Sequence, residues 1–382
     1  MGLGRREPAG IRVLALIEAS SVTGPAKNLI GFARRARPAV ELTVATFRRP
    51  SAPDEGLLPA LAEAGIEARV IEESGMGDPR VVSQLRRLVL AERPDIIQTH
   101  NTKSHFLLRT TGWVFGVPWL AFHHGFTNRG PKDRAYNRIA RWALKGARRV
   151  VVVCDAFAAD LRASGVPESR ISLRHNFVVA FQPPPEAELE ALRARLRILP
   201  GVPVMLAVGR LSQEKGHADL LEALALFHQA EPSADFRMVI AGEGPERGRL
   251  EQQRKTLGLE QIVLLPGQQA SVRPFYALAN LLALPSHSEG SPNVLLEAMS
   301  AGLPIVATNA GGIVEIASDG VTALTVPARD PRSFADALLR LRRDPELARR
   351  LASAAKREAA RFTPEAYVEA MIGIYRSVLE EK

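Results

Sequence analysis

Thirteen short apolar runs, separated by amphipathic stretches of helical length, constrain the fold of this 382-residue chain more than any other feature. Such alternation is the pattern of a parallel sheet covered by helices. Seven runs come first: Ile11–Ile17, Glu41–Ala45, Ala68–Ile71, Ile96–Thr99, Trp119–Phe122, Val150–Cys154 and Ile171–Leu173. Proline clusters then flank a short charged helix across 181–203, which reads as a linker. Six more runs follow: Val204–Val208, Arg237–Ala241, Ile262–Leu265, Leu281–Leu284, Pro304–Ala307 and Ala323–Val326. The expected class is α/β, with one open sheet in 1–180 and another in 204–363; the length exceeds what one core usually serves. Open α/β sheets bind ligands at the carboxyl ends of their strands.

Those strand ends carry the chemistry. The stretch EGSPNVLLE follows Leu281–Leu284, with Glu289 in the turn and Glu297 two turns into the expected helix. Ser291 is placed to cap that helix, Pro292 suits its first position, and Gly290 admits close approach of a ligand. A helix N-terminus of this kind attracts anions and hydroxyl oxygens; two acids at the ends of a capped helix would be the plain alternative. After Val204–Val208 come Gly209, Arg210 and Lys215; after Arg237–Ala241, Gly242 and Gly244; after Ile262–Leu265, Gly267 and Gln268; after Pro304–Ala307, Gly311, Gly312 and Glu315. In the first half, the loop Ser20–Asn28, with Gly24, Lys27 and Asn28, follows the first strand. His100 follows the fourth, and His123 and His124 follow the fifth. A lone histidine is usually structural, but histidines at strand ends face the crevice where substrates bind.

Charge and composition remove several classes. The net charge of +9 is uneven: residues 1–180 hold 27 Lys and Arg against 16 Asp and Glu, the remainder 23 against 25. The densest basic segment, 128–149, interleaves Tyr136, Ile139 and Trp142 with cations. It suits an anionic membrane surface or acidic acceptor, or else a helix with a solvated basic face. No nucleic-acid-binding motif accompanies the charge. No apolar run reaches the roughly 18 residues of a membrane span, and the apolar segment after the basic N-terminus carries Arg12 and Glu18, so a buried strand is expected there rather than a signal peptide. The single cysteine, Cys154, excludes an internal disulfide and fits a reducing cytoplasm.

From Val204 to Asp330 the motifs GR…K, GEGP, LPGQ, LPSHSEGSPNVLLEAMSAGLPIVAT, NAGGIVEI and VPARD resemble the nucleotide-sugar half of the retaining glycosyl transferases group 1, a GT-B family of two facing Rossmann-like domains with a cleft between them. TGPAKNL, PDIIQTHNTKS, FHHG, VVVCDAF and RHN resemble its acceptor half. The segment 364–382 is similar to its terminal helix, which crosses back to the first domain.

The resemblance implies transfer of a sugar from a nucleoside diphosphate donor, UDP-linked by default with GDP-mannose as rival, to a glycan or lipid-linked acceptor. It implies retention at the anomeric carbon. Arg210 and Lys215 match the cations that neutralise the leaving diphosphate, Glu289 the acid beside the donor sugar, and Glu297 the acid that accepts from ribose hydroxyls. Gly290, Ser291, Pro292, Asn293, Val294 and Leu295 match the loop and amides at sugar hydroxyls or phosphate. His124 matches the histidine that touches the donor sugar, with His123 as the substitute; His100, His123, Lys27 and Asn28 fall on the acceptor side, and Gly24, Gly209, Gly242, Gly244, Gly267 and Gln268 on the donor side. No Asp-x-Asp occurs in the sequence, so no metal and no cofactor are expected. Two departures are the Lys27–Asn28 pair, where relatives often carry an acid and an arginine, and Asn280, where aspartate is common. A sugar-nucleotide 2-epimerase, a phosphorylase using inorganic phosphate and a non-catalytic sugar-nucleotide-binding protein share the architecture. The expected location is cytoplasmic, at the inner membrane surface if the basic segment docks there.

Overall fold

The computed structural model describes residues 10–50, 54, 56–75, 77–126 and 131–381. The start of the basic segment, 128–130, and the basic residues before Gly10 lie outside these. The chain divides into two units, one of residues 1–176 with 364–382, the other of residues 177–363.

All thirteen apolar runs form strands. The first unit holds β1 (Ile11–Ile17), β2 (Val40–Arg48), β3 (Glu67–Glu72), β4 (Ile96–Thr99), β5 (Trp119–His123), β6 (Arg149–Val152) and β7 (Ile171–Leu173), parallel and in the order β3-β2-β1-β4-β5-β6-β7. The second holds β8 (Val204–Val208), β9 (Arg237–Ala241), β10 (Val263–Gly267), β11 (Leu281–Leu284), β12 (Ile305–Thr308) and β13 (Leu324–Val326), also parallel, in the order β10-β9-β8-β11-β12-β13. Each is the doubly wound order in which the chain reverses direction across the sheet beside its first strand, which opens a crevice between β1 and β4 and another between β8 and β11.

The strands read as continuous apolar runs because both faces of each sheet are covered. In β1, Val13, Ala15 and Ile17 pack into one core cluster and Leu14 and Leu16 into the opposite one. In β8, Met205 and Ala207 face one way, Val204 and Leu206 the other. The final helix, Pro364–Glu380, belongs to the first unit. Its Met371, Ile374, Tyr375 and Val378, spaced to share one helical face, are buried in the cluster on the Val13 side of the sheet.

Two local expectations are corrected. The stretch 181–203 belongs to the second unit rather than standing between the two. Its helix Glu186–Leu196 buries Leu192, and Ile198 and Val202 join the same cluster, so the proline-flanked segment is an extra layer on the second sheet. The helix after β11 starts at Asn293, one residue later than the capping signals suggest. Pro292 stands at the N-cap and no side chain caps the helix, so Glu297 lies in its second turn. Asn280 performs locally what an aspartate would: its Oδ1 accepts from the Val204 amide at 2.8 Å, fixing the entry to β8.

Candidate functional site

In the second unit the loops after β8, β9, β11 and β12 lock together through glycines. A Cβ on Gly242 would stand 1.9 Å from the Gly209 carbonyl oxygen, and one on Gly244 2.3 Å from that of Leu211. Gly311 has a left-handed φ of +53°, and a Cβ there would stand 2.0 Å from the Glu289 carbonyl oxygen, which also accepts from the Gly312 amide at 3.0 Å. The crevice beside β8 and β11 therefore has a rim fixed by backbone contacts rather than by side-chain packing.

At this rim the two predicted groups Lys215 and Glu289 come together. Lys215 Nζ donates to Glu289 Oε1 at 2.7 Å, and the Ser286 hydroxyl donates to the same oxygen at 2.6 Å. The Glu289 side chain is buried, that of Lys215 about one quarter exposed. The ion pair spans the loops after β8 and β11. His287, from the same loop as Glu289, meets Asp219 at 2.7 Å and donates its amide to the Glu214 carbonyl at 2.8 Å, closing the join. Arg210 is exposed and, among the described residues, forms no ion pair. The crevice thus offers one open cation and one held by a buried acid.

Glu297 is set by a residue that sequence reading missed. Tyr276, on the helix Arg273–Leu278 after β10, is buried and donates to Glu297 Oε2 at 2.8 Å. Burial and the Glu297 charge push the phenol well above its ordinary range, so it keeps its proton and acts as a donor. Gly267 ends β10 at a φ of +80°, with Gln268 following, and the Gly242 amide donates to the Gly267 carbonyl at 3.0 Å. Gly290 and Ser291 lie in the turn before the uncapped helix N-terminus formed by Pro292, Asn293 and Val294. The Leu295 amide donates to the Pro292 carbonyl at 3.1 Å, and the Leu295 side chain is wholly buried.

In the first unit, Gly24, also expected on the donor side, opens the helix Gly24–Ala36 after Thr23. Beside it is the crevice between β1 and β4. Strand alternation separates the two histidines that the FHHG motif places side by side. His123 packs against Phe126 and Phe157, ring centroids 4.2 and 5.3 Å away, with Nε2 buried and unpartnered. His124 instead lines a small pocket with Asn28, Gln98, His100, Phe122 and Tyr375. Gly125 follows with φ +108°, and a Cβ there would meet the Phe157 ring at 2.5 Å, so the exit from β5 requires glycine. Lys27 sits one residue before Asn28 on the helix Gly24–Ala36. Burial lowers the basicity of His124 to a pKa of about 4 and that of His100 and His123 well below the usual value, leaving all three neutral near pH 7.

His105, unmarked in the sequence, braces this edge. Its Nδ1 lies 2.7 Å from the Thr99 hydroxyl, which accepts from Trp119 Nε1 at 2.8 Å, and its pKa is pushed to about 3 by burial. Among the described residues no group of three His, Cys, Asp or Glu side chains is arranged to hold a metal, and no helix is long and apolar enough to cross a membrane.

Residues 202–344 match the glycosyl transferases group 1, and residues 23–177 match a glycosyl transferase 4-like domain. The alpha-D-kanosaminyltransferase of Streptomyces kanamyceticus is 32% identical over 282 residues, covering 69% of this chain and 72% of that protein. The D-inositol 3-phosphate glycosyltransferase of Frankia alni is 35% identical over 311 residues, covering 75% and 74%. In fold, the chain is similar to Anabaena HepE in complex with UDP-glucose, with a TM-score of 0.85, 22% identity, and coverage of 96% of this chain and 100% of that one. With two Rossmann-like sheets of GT-B type and these relatives, the chain belongs to the glycosyl transferases group 1 and is a glycosyltransferase.

Proposed function

We propose that the second unit holds a UDP-sugar, or GDP-mannose as the rival donor, and that the sugar passes with retention and without a metal to a glycan or lipid-linked acceptor. The observation that carries this reading is the pairing of Lys215 with buried Glu289 across the β8–β11 crevice, beside exposed Arg210. As the glycosidic bond breaks, negative charge grows on the leaving diphosphate. Fixed cations stabilise that charge without reorganising. Glu289 holds Lys215 in place and leaves Arg210 as the group able to move onto the phosphates. Glu297, oriented by Tyr276, is set to accept from vicinal ribose hydroxyls, for which a carboxylate has the needed lone pairs. His124 is the first unit's substrate-facing imidazole. The lack of Asp-x-Asp in the sequence supports a metal-free site.

The acceptor side is basic. Helices Thr102–Thr111 and Pro131–Leu144 expose Phe106, Ile139 and Trp142 among exposed Arg109, Arg134, Arg138 and Lys145, with Asp133 the one acid in either helix. Phe106 and Trp142 lie 6.0 Å apart between ring centroids, joining the two helices into one apolar patch. A patch of this chemistry suits an anionic membrane surface that carries a lipid-linked acceptor.

A thermal-shift screen against UDP-glucose, UDP-N-acetylglucosamine, GDP-mannose and the free diphosphates, each with and without EDTA, tests the donor reading. One nucleotide family should raise the melting temperature equally in both buffers. No shift from any of them, or a shift abolished by EDTA, would contradict it. Sedimentation with anionic vesicles at low salt tests the surface, and recovery of all protein in the supernatant would remove it.

A further inference from the structure

The final helix reaches the histidine cluster through a continuous hydrogen-bonded chain. Tyr375 is wholly buried, and its hydroxyl lies 2.5 Å from Gln98 Oε1. Gln98 Nε2 lies 2.7 Å from His100 Nε2, and His100 Nδ1 lies 3.1 Å from His124 Nε2. The two imidazole planes are within 10° of parallel, which lets an N–H of one meet the lone pair of the other in plane.

The direction of the chain follows from what each atom can do. Among the described residues, the Tyr375 hydroxyl makes this one hydrogen bond. Burial holds the phenol far above its ordinary pKa, so its proton stays and must be donated. That places the Gln98 carbonyl toward Tyr375; the reversed amide would strand the phenol proton in a dry site. The Gln98 amide nitrogen can only donate, so His100 Nε2 accepts. A neutral His100 then carries its proton on Nδ1 and donates to His124 Nε2. The single proton of neutral His124 is left on Nδ1.

We propose that Tyr375, acting through Gln98 and His100, fixes His124 as the Nδ1-protonated tautomer, so that His124 meets substrate as a hydrogen-bond donor and not as a base. Tyr375, Gln98 and His100 are positioning residues. The role of His124 at substrate rests on the reading given under Proposed function, but its tautomer does not. Asn28 supports the same polarity: its Nδ2 is buried without a partner and lines the pocket that His124 lines. Two donor groups in one pocket call for an acceptor oxygen, such as a sugar hydroxyl or a phosphate.

The test is a long-range proton–nitrogen NMR spectrum of ring-labelled histidines in the ligand-free protein at pH 7.5, with His124 assigned by loss of its signals in His124→Asn. The expected pattern has the proton on Nδ1 in more than about nine tenths of His124. Tyr375→Phe frees the Gln98 amide and should give a tautomer mixture. Gln98→Glu supplies an acceptor to His100 Nε2, reverses the chain and should move the His124 proton to Nε2. An Nε2-protonated His124 in the unaltered protein overturns the proposal whether or not either variant folds. So does an unchanged His124 pattern in both variants, once each melts cooperatively. A substrate role that failed while the tautomer pattern held would count against the assignment of His124 and not against the chain.

Discussion

Among the residues, Glu289 and Glu297 do different work because their partners differ. Glu289 is buried against Lys215 and Ser286, so Lys215→Met leaves a carboxylate without its counter-charge. Urea unfolding should show a loss of about 2 to 3 kcal/mol in the second unit, in the range for broken buried pairs with one partly exposed partner. Arg210 makes no such structural pair, so Arg210→Ala should leave stability within about 0.5 kcal/mol while lowering kcat about a hundredfold or more, measured by nucleoside diphosphate release. Both acids and both cations were legible in the sequence because turn residues surround them. Tyr276, Gln98, His105 and Tyr375 were not. Each sits mid-element in an apolar setting, where one polar residue carries no local signal, and only the fold brings it to its partner.

For the secondary-structure elements, the thirteen strands were legible because apolar runs of strand length must be covered on both faces. The exact start of the helix Asn293–Ala301 was not, since Ser291 and Pro292 carry capping signals that the turn uses otherwise. The linker reading failed for a related reason: prolines mark where regular structure stops, not which core a segment joins. The glycines at the strand ends gain a clearer role than turn flexibility. Gly311→Ala would combine a left-handed backbone with overlap on the Glu289 carbonyl. It should cost about 2 kcal/mol or more by urea unfolding and weaken nucleotide binding with it, because Glu289 moves. Stability loss with full binding retained would separate the loop from the site.

Across the whole molecule, among the described residues, five histidines, four buried and His124 partly so, have lowered basicity, four in the first unit and His217, held near 4, in the second. In each, the folded pKa lies below the unfolded value of 6.5, so the unfolded chain binds more protons as pH falls through that value. Stability is therefore complete above about pH 6.5 and declines as pH falls toward the folded pKa, by at most about 1.4 kcal/mol per histidine per pH unit. Melting curves from pH 7.5 to 5 should show the first unit losing stability faster than the second; parallel loss would contradict the burial argument. Removal of 364–382 should destabilise the first unit alone, because Met371, Ile374, Tyr375 and Val378 complete its core. That return of the chain was expected only from the family resemblance. Whether the β8–β11 crevice holds a nucleoside diphosphate is read by calorimetric titration with UDP and with GDP. One of them should bind to the unaltered protein and bind at least about tenfold more weakly to Glu297→Ala. Failure of both to bind, or equal binding by the variant, would rule out a nucleotide site there.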